Sequence, residues 1–257
     1  MKLDEYADSF KTARLSRDPD GILTVTWHSR GGPMVWTAVA HREAPRLFEA
    51  IAADPDNKVL ILTGTGDTFI STPEGYGDVY RSGEVKPADW ERGIWEANRM
   101  LHALVDIQVP VIAAINGPVT GHAELPLLCD AVLCSSDTYF QDAAHVPGNL
   151  VPGDGVHIVW PMILGSSRVR YFLLTGEKIP ADDAKALGIA AEVLPRDRLA
   201  PRALELARQL AAVDPLVMRY TRHLLLRPIK KALNEELNVG LGLEAYVSIS
   251  RFPQFDD

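Results

Sequence analysis

Two short apolar runs, Lys58–Thr63 (KVLILT) and Pro110–Ile115 (PVIAAI), constrain this chain more than anything else in it. Neither alternates apolar with polar residues, so neither is a strand wetted on one face. Both are too short for a buried helix, and each stops at a turn, Gly64–Gly66 and Asn116–Gly117. Such runs belong to strands of a sheet covered on both sides. The stretch between them, Ala88–Val105, has helical periodicity, with Trp90, Ile94, Ala97, Leu101 and Leu104 on one stripe. Upstream, Ile22–His28 reads as a strand. Thr37–Ala53 reads as a helix capped by Thr37, with Ala40, Leu47, Phe48 and Ile51 inward. A short helix is expected from Gly121 or His122 to Leu128, and short strands at Ala131–Cys134 and Thr138–Gln141. Strands alternating with helices predict an α/β fold of βαβ units with right-handed crossovers and a mostly parallel sheet. Past Pro195 the pattern turns helical, at Pro201–Ala212, Pro215–Leu226 and Ile229–Ser250. The expected organisation is a core over 1–195 and a C-terminal helical subdomain over 196–257.

The chain can fill that core, because 47% of its 257 residues are hydrophobic. Its net charge of −8 and pI near 5.4 disfavour nucleic acid and anionic membrane as partners. No run reaches the roughly 18 apolar residues of a membrane span. The polar start, MKLDEYADSF, lacks the apolar stretch of a secretion signal. Cys129 and Cys134 read as reduced core thiols. Together these predict a cytoplasmic protein.

In parallel α/β sheets, ligands gather at the carboxyl ends of the strands. Three loops there carry the chemistry: Gly64–Gly75, Asn116–Glu124 and Asp142–Gly155. The last two concentrate His122, Glu124, Asp142, His145 and Asp154, with His157 just beyond. His145 sits in a loop with few apolar side chains and suits a general base. Asp154, nine residues on and past a Pro-Gly turn, is placed either to hold the imidazole or to cap the helix that begins near Gly155. His122, at a helix start, is either an oxyanion donor or a surface residue. Glu124 reads by default as a helix-dipole partner. The four groups His122, His145, Asp154 and His157 match no common metal-ligand spacing, so no metal and no organic cofactor are expected. Gly64-Thr65-Gly66 is not followed by the Gly-Lys-Ser/Thr of a phosphate loop.

Several segments, in order, resemble the crotonase (enoyl-CoA hydratase/isomerase) superfamily: VLILTGTGDTF, PVIAAINGPVTGHAEL, LCDAVLCSSDTYF, LVPGDG and YFLLTGEKIPADDAKALGIAAEVLP. The resemblance implies a crotonase-like spiral of βαβ units. The departures narrow it further. The family's Gly-Gly-Gly run is Gly121-His122-Ala123 here. The second catalytic glutamate of hydratases falls at or beside His145, and the small residue of P-G-x-G is Asp154. The first oxyanion loop, usually F-x-A-G-x-D, is Phe69-Ile70-Ser71-Thr72-Pro73-Glu74. This set is similar to the β-diketone hydrolase branch typified by 6-oxocamphor hydrolase. That branch has histidines matching His122 and His145, an aspartate matching Asp154, a helical glutamate matching Glu244 and a substrate-side tryptophan matching Trp36.

The resemblance implies hydrolysis of a carbon–carbon bond in a cyclic β-diketone by a retro-Claisen route. His145 and Asp154 would activate water. His122, held by Glu244, would engage the second carbonyl, and Trp36 and Tyr80 would line the substrate site. Trp90, Tyr76 and Trp160 are further aromatic candidates for the pocket wall, with core packing the alternative. It also implies a homotrimer or a hexamer built as a dimer of trimers. Two rivals are a CoA-dependent hydratase, isomerase or thioester hydrolase on the same fold, and a non-catalytic binding protein.

Overall fold

A computed structural model describes residues 1–74 and 86–249. Tyr76 and Tyr80 lie outside the described residues. A six-stranded sheet is ordered β1-β2-β3-β4-β5-β8, from β1 (Ala13–Arg17), β2 (Ile22–Trp27), β3 (Val59–Gly64), β4 (Val111–Ile115), β5 (Ala131–Ser135) and β8 (Glu192–Leu194). All neighbours pair in parallel except the β1–β2 hairpin. That hairpin, absent from the sequence expectation, is closed by Asp18, whose Oδ1 accepts from the N–H groups of Asp20 and Ile22 at 3.0 Å each.

The near-continuous apolar strands are explained by two separate cores. After the short α1 (Leu3–Tyr6), Leu23, Val25, Leu60, Leu62, Val111 and Ala113 face the main core with α2 (Ala38–Ala52) and α3 (Pro87–Asp106). The alternate residues Ile22, Val59, Ile61, Ile112 and Leu133 face Leu199, Ala203 and Ala207 of a later helix, α6 (Arg196–Ala211). Thr37 caps α2, as its position suggested, accepting from Ala40 N at 3.5 Å.

The loops leaving the strands form a second, sparse layer. Single β-bridges join Val35 to Ser71, Ile70 to Val119 and Val119 to Phe140, and β6 (Tyr139–Phe140) pairs with β7 (Ile179–Pro180). This layer carries the spiral of the fold and sets Trp36, Thr72, Thr120 and Asp142 side by side.

Several expectations are corrected. Residues 121–125 form turns, and only Pro126–Leu128 is helical, as a single 3₁₀ turn. The helix after the Pro-Gly turn, α4, runs Val156–Thr175, and the short α5 spans Ala181–Ala186. The two tail helices expected on either side of Pro228 are one, α7 (Pro215–Ile249), with Pro228 inside it. Packing overrides the proline: Leu226, Leu233, Leu237 and Leu241 are buried at helical spacing, and α7 lies along α3 and α4. Arg222 of α7 bonds Asp130 Oδ2 at 2.6 Å and also reaches the Ile107 carbonyl, anchoring α7 to the end of α3. Apart from these corrections, α6 begins at residue 196 and packs on the sheet. Trp160 is fully buried against Phe172, with rings 4.4 Å apart, and is a core residue. Cys129 and Cys134 are free thiols, and burial pushes Cys134 up to about 12. Among the described residues, no helix is long and apolar enough to cross a membrane.

Candidate active site

Five titratable side chains meet where the second layer, the 3₁₀ turn and the start of α4 converge. His145 is buried and engaged at both ring nitrogens. Its Nδ1 lies 2.7 Å from Asp142 Oδ1, and its Nε2 lies 3.3 Å from Asp154 Oδ1. The Asp-x-x-His spacing makes the first contact local, since Asp142 Oδ1 also accepts the His145 backbone N–H at 3.4 Å. Asp154 therefore meets the imidazole, but on the nitrogen opposite the one held most closely. The orienting carboxylate on Nδ1 is Asp142, a residue the sequence reading noted but gave no role.

Asp154 does not cap α4. Gly155 occupies that position at φ +118°, where a Cβ would stand 2.5 Å from Leu101 Cδ1. The aspartate instead lies between two histidines, its Oδ2 3.4 Å from His122 Nδ1.

His122 is likewise buried. Its Nδ1 is 2.7 Å from Glu124 Oε1, so its nearest carboxylate is Glu124 and not Glu244. His122 adopts φ +45°, a left-handed conformation uncommon outside glycine and worth attention when a functional side chain holds it. The backbone thus keeps a glycine-like shape where the related motif has glycines. Glu124 is completely buried, which removes the reading of a solvated helix-dipole partner. The Trp36 ring lies 4.4 Å from the His122 ring, placing this tryptophan at the cluster. A second imidazole–carboxylate pair stands behind it. His41 Nδ1 is 2.9 Å from Glu96 Oε2, and the His41 ring is 5.9 Å from His122. Nothing in the sequence reading singled out this pair, whose members are 55 residues apart.

Glu244 reaches the cluster from α7. The Pro-Gly turn closes on that helix so tightly that a Cβ on Gly153 would be 2.2 Å from Gly240 O and 2.9 Å from Glu244 Cβ. His157 packs against α7, where a Cβ on Gly240 would stand 2.2 Å from its Cε1, and it still interacts electrostatically with Asp154.

The electrostatics follow from burial and proximity. Burial opposes charge on His145, but Asp154 and then Asp142 outweigh it and hold the ring well above 6.5. Burial also opposes charge on His122, which Glu124 and then Asp154 nevertheless raise. Burial acts to raise Asp154, but His145 and then His122 pull it below the usual carboxylate range. Burial, reinforced by Asp154, raises Glu124. Burial pushes Glu244 up to about 8, so this carboxyl is mostly protonated at neutral pH. Trp36 Nε1, Glu124 Oε2, Glu244 Oε2 and Asp154 Oδ1 are buried with no hydrogen-bond partner among the described residues, so the 3.3 Å approach of Asp154 Oδ1 to His145 Nε2 is an ion-pair contact.

His122, Glu124 and Asp154 each offer an atom within 4.8 Å of the others, which is the number of protein ligands in an open zinc site. The His122–Glu124 contact, at 2.7 Å, is that of a hydrogen-bonded donor and acceptor.

The loop that would supply a backbone oxyanion hole has no free donor through residue 73. Phe69 N and Ile70 N donate to Pro118 O at 3.1 and 3.4 Å, and Ser71 N to Met34 O at 2.9 Å. Thr72 N donates to Thr120 Oγ1 at 3.1 Å, and Pro73 has no N–H.

A family model described as enoyl-CoA hydratase/isomerase matches residues 21–248. Hydroxycinnamoyl-CoA hydratase-lyase of Pseudomonas fluorescens is 25% identical over 85% of this chain and 79% of its own length. Carnitinyl-CoA dehydratase of Proteus mirabilis is 33% identical over 70% of this chain and 68% of its own. Among solved structures, ABDH, a β-diketone hydrolase from the cyanobacterium Anabaena sp. PCC 7120 bound to (S)-3-oxocyclohexyl acetic acid, is 42% identical. It covers 95% of this chain and 97% of its own, with a TM-score of 0.90.

Proposed function

We propose a β-diketone hydrolase: the chain belongs to the enoyl-CoA hydratase/isomerase family, the crotonase superfamily, and its polar centre suits carbon–carbon bond hydrolysis better than thioester chemistry. The observation that carries this reading is the Asp142–His145–Asp154–His122–Glu124 cluster, set beside a loop whose backbone donors from Phe69 to Thr72 are already used. A thioester enolate would need such donors.

In a 1,3-diketone without an acidic hydrogen between its carbonyls, the carbonyl carbons stay electrophilic. Water at Asp154 gives its proton to the His145–Asp154 pair. The hydroxide adds to one carbonyl, and the tetrahedral oxyanion collapses by breaking the bond to the central carbon. The ring opens within one molecule: one end becomes a carboxylic acid and the other an enolate, delocalised onto the second carbonyl. Glu244, neutral at pH 7, and Trp36 Nε1 are buried donors suited to that oxygen, with His122 beside them. Protonation of the enolate carbon completes the keto acid. No step calls on a metal or organic cofactor. The smaller catalytic set expected from the sequence (His145, Asp154, His122 and Glu244) gains Asp142 as the group that orients His145.

Large apolar side chains are exposed in the single chain on α4 (Tyr171 and Leu174) and on α7 (Tyr220, Leu224 and Leu225). Such exposure suits self-association, and we propose the trimer or hexamer expected from the sequence. Light scattering that reports a monomer would remove this.

The functional test is loss of ultraviolet absorbance on a panel of cyclic 1,3-diketones, alongside calorimetry with CoA esters. The reading expects cleavage of at least one diketone, abolished in H145A, and no CoA binding. Micromolar CoA-ester affinity without diketone cleavage would favour the hydratase rival instead.

A further inference from the structure

The two imidazoles of the cluster are held differently, and the difference separates their tasks. Both nitrogens of His145 face carboxylates. Both carboxylates near His122 instead crowd one nitrogen: Glu124 Oε1 at 2.7 Å and Asp154 Oδ2 at 3.4 Å approach Nδ1. Nε2 makes no hydrogen bond among the described residues, and the Trp36 ring packs 4.4 Å away. A carboxylate at Nδ1 fixes the N–H there, so Nε2 carries a proton only when the ring is cationic.

Glu124 is built to impose that state. It is fully buried, and its backbone carbonyl accepts from Leu127 N and Leu128 N at 3.0 and 3.1 Å, which locks the turn. Its side chain backs onto the Pro-Gly turn, where a Cβ on Gly155 would stand 3.5 Å from Glu124 Cγ. The charged or titratable groups facing His122 are Glu124, Asp154, His145, Glu244 of α7 and, across 5.9 Å, His41.

We propose that Glu124 is a positioning residue that holds His122 as an Nδ1-bonded imidazolium, so that Nε2–H delivers its proton to one face of the enolate carbon. This rests on the hydrolase reading. The N–H bond at Nε2 breaks as the C–H bond forms, and His122 is left neutral. The proton taken from water at His145–Asp154 returns to solvent, and solvent recharges His122.

The test compares the unaltered protein with E124Q in two ways. On a cyclic 1,3-diketone whose central carbon carries two different substituents, so that protonating the enolate itself creates the stereocentre, kcat is expected to fall about 100-fold, within the range one general acid contributes. KM changes little, and the enantiomeric excess of the keto acid drops as bulk water competes for the enolate. A merely structural role would leave the handedness intact, and an unchanged enantiomeric excess overturns the proposal. The second readout needs no turnover. Nitrogen NMR of histidine-labelled protein follows the His122 ring, and its titration midpoint is expected to fall by about one pH unit or more in E124Q. An unchanged midpoint also overturns the proposal. If the unaltered protein cleaves no diketone, the hydrolase reading fails, while the NMR result still decides what Glu124 does to His122. Should E124Q not fold, E124D keeps the charge but withdraws it from Nδ1. It is expected to give intermediate values of both quantities, with values equal to the unaltered protein counting against the proposal.

Discussion

Replacing Glu244 by glutamine should stabilise the protein, and by an amount that grows with pH. The carboxyl is buried on α7 beside Asp154, and burial pushes it up from 4.5 to about 8. The folded protein therefore keeps a proton that the unfolded chain releases above 4.5, so stability declines between those limits as pH rises. Each pH unit in that window costs about 1.4 kcal/mol, or about 3 kcal/mol by pH 7. Glutamine has no such proton to hold. For a chain of this size, 1 kcal/mol moves Tm by about 2–4 °C. E244Q should therefore match the unaltered protein near pH 5 and exceed it by up to about 10 °C at pH 7, a gap that widens to pH 8 and is then constant. Thermal scans of both proteins from pH 5 to 9 read this directly. Parallel curves would refute a neutral buried Glu244. The same titration should appear in catalysis, because a carboxyl that must donate to a carbonyl stops doing so as it ionises. The fall in kcat/KM near pH 8 should be absent in E244Q.

Two further outcomes follow from the same contacts. The carboxylate of Asp142 helps raise His145, and a base must lose its proton to act, so kcat/KM should rise with pH above 6.5. In D142N that rising limb should move to lower pH by about one unit, with kcat reduced at least about 10-fold, as pH–rate profiles would show. A Cβ at Gly153 would meet Gly240 O at 2.2 Å, so G153A should cost roughly 1–3 kcal/mol in denaturant unfolding, and an unshifted midpoint would mean that α7 does not close on this turn.

The fold was legible where the sequence speaks through period and length. KVLILT and PVIAAI carry their two-sided burial in their composition, and Thr37 announces its helix. The β1 strand was harder, because ARLSR is short and polar, although Asp18-Pro19-Asp20-Gly21 is a hairpin cue. The continuity of α7 through Pro228 was not legible, because it depends on contacts with α3 and α4 that no local rule contains. At the site, the histidines and Asp154 stood out as ionisable residues in loops that follow strands, and their resemblance to one branch of the family grouped them. Their pairing did not follow from spacing. Asp142 and His145 meet because the loop turns after β6. Glu124 bonds His122 because that backbone takes a left-handed step where a regular helix was expected. His41 and Glu96 lie on separate helices and meet only in the folded chain.

The central claim is that an imidazole and a carboxylate 3.3 Å apart turn water into the nucleophile. Asp154→Asn keeps the shape of the side chain and removes its charge. In a steady-state assay on a diketone that the unaltered protein cleaves, kcat should fall by at least about 1,000-fold with KM within roughly threefold. Turnover within about 10-fold of the unaltered protein, with the fold intact, would contradict it.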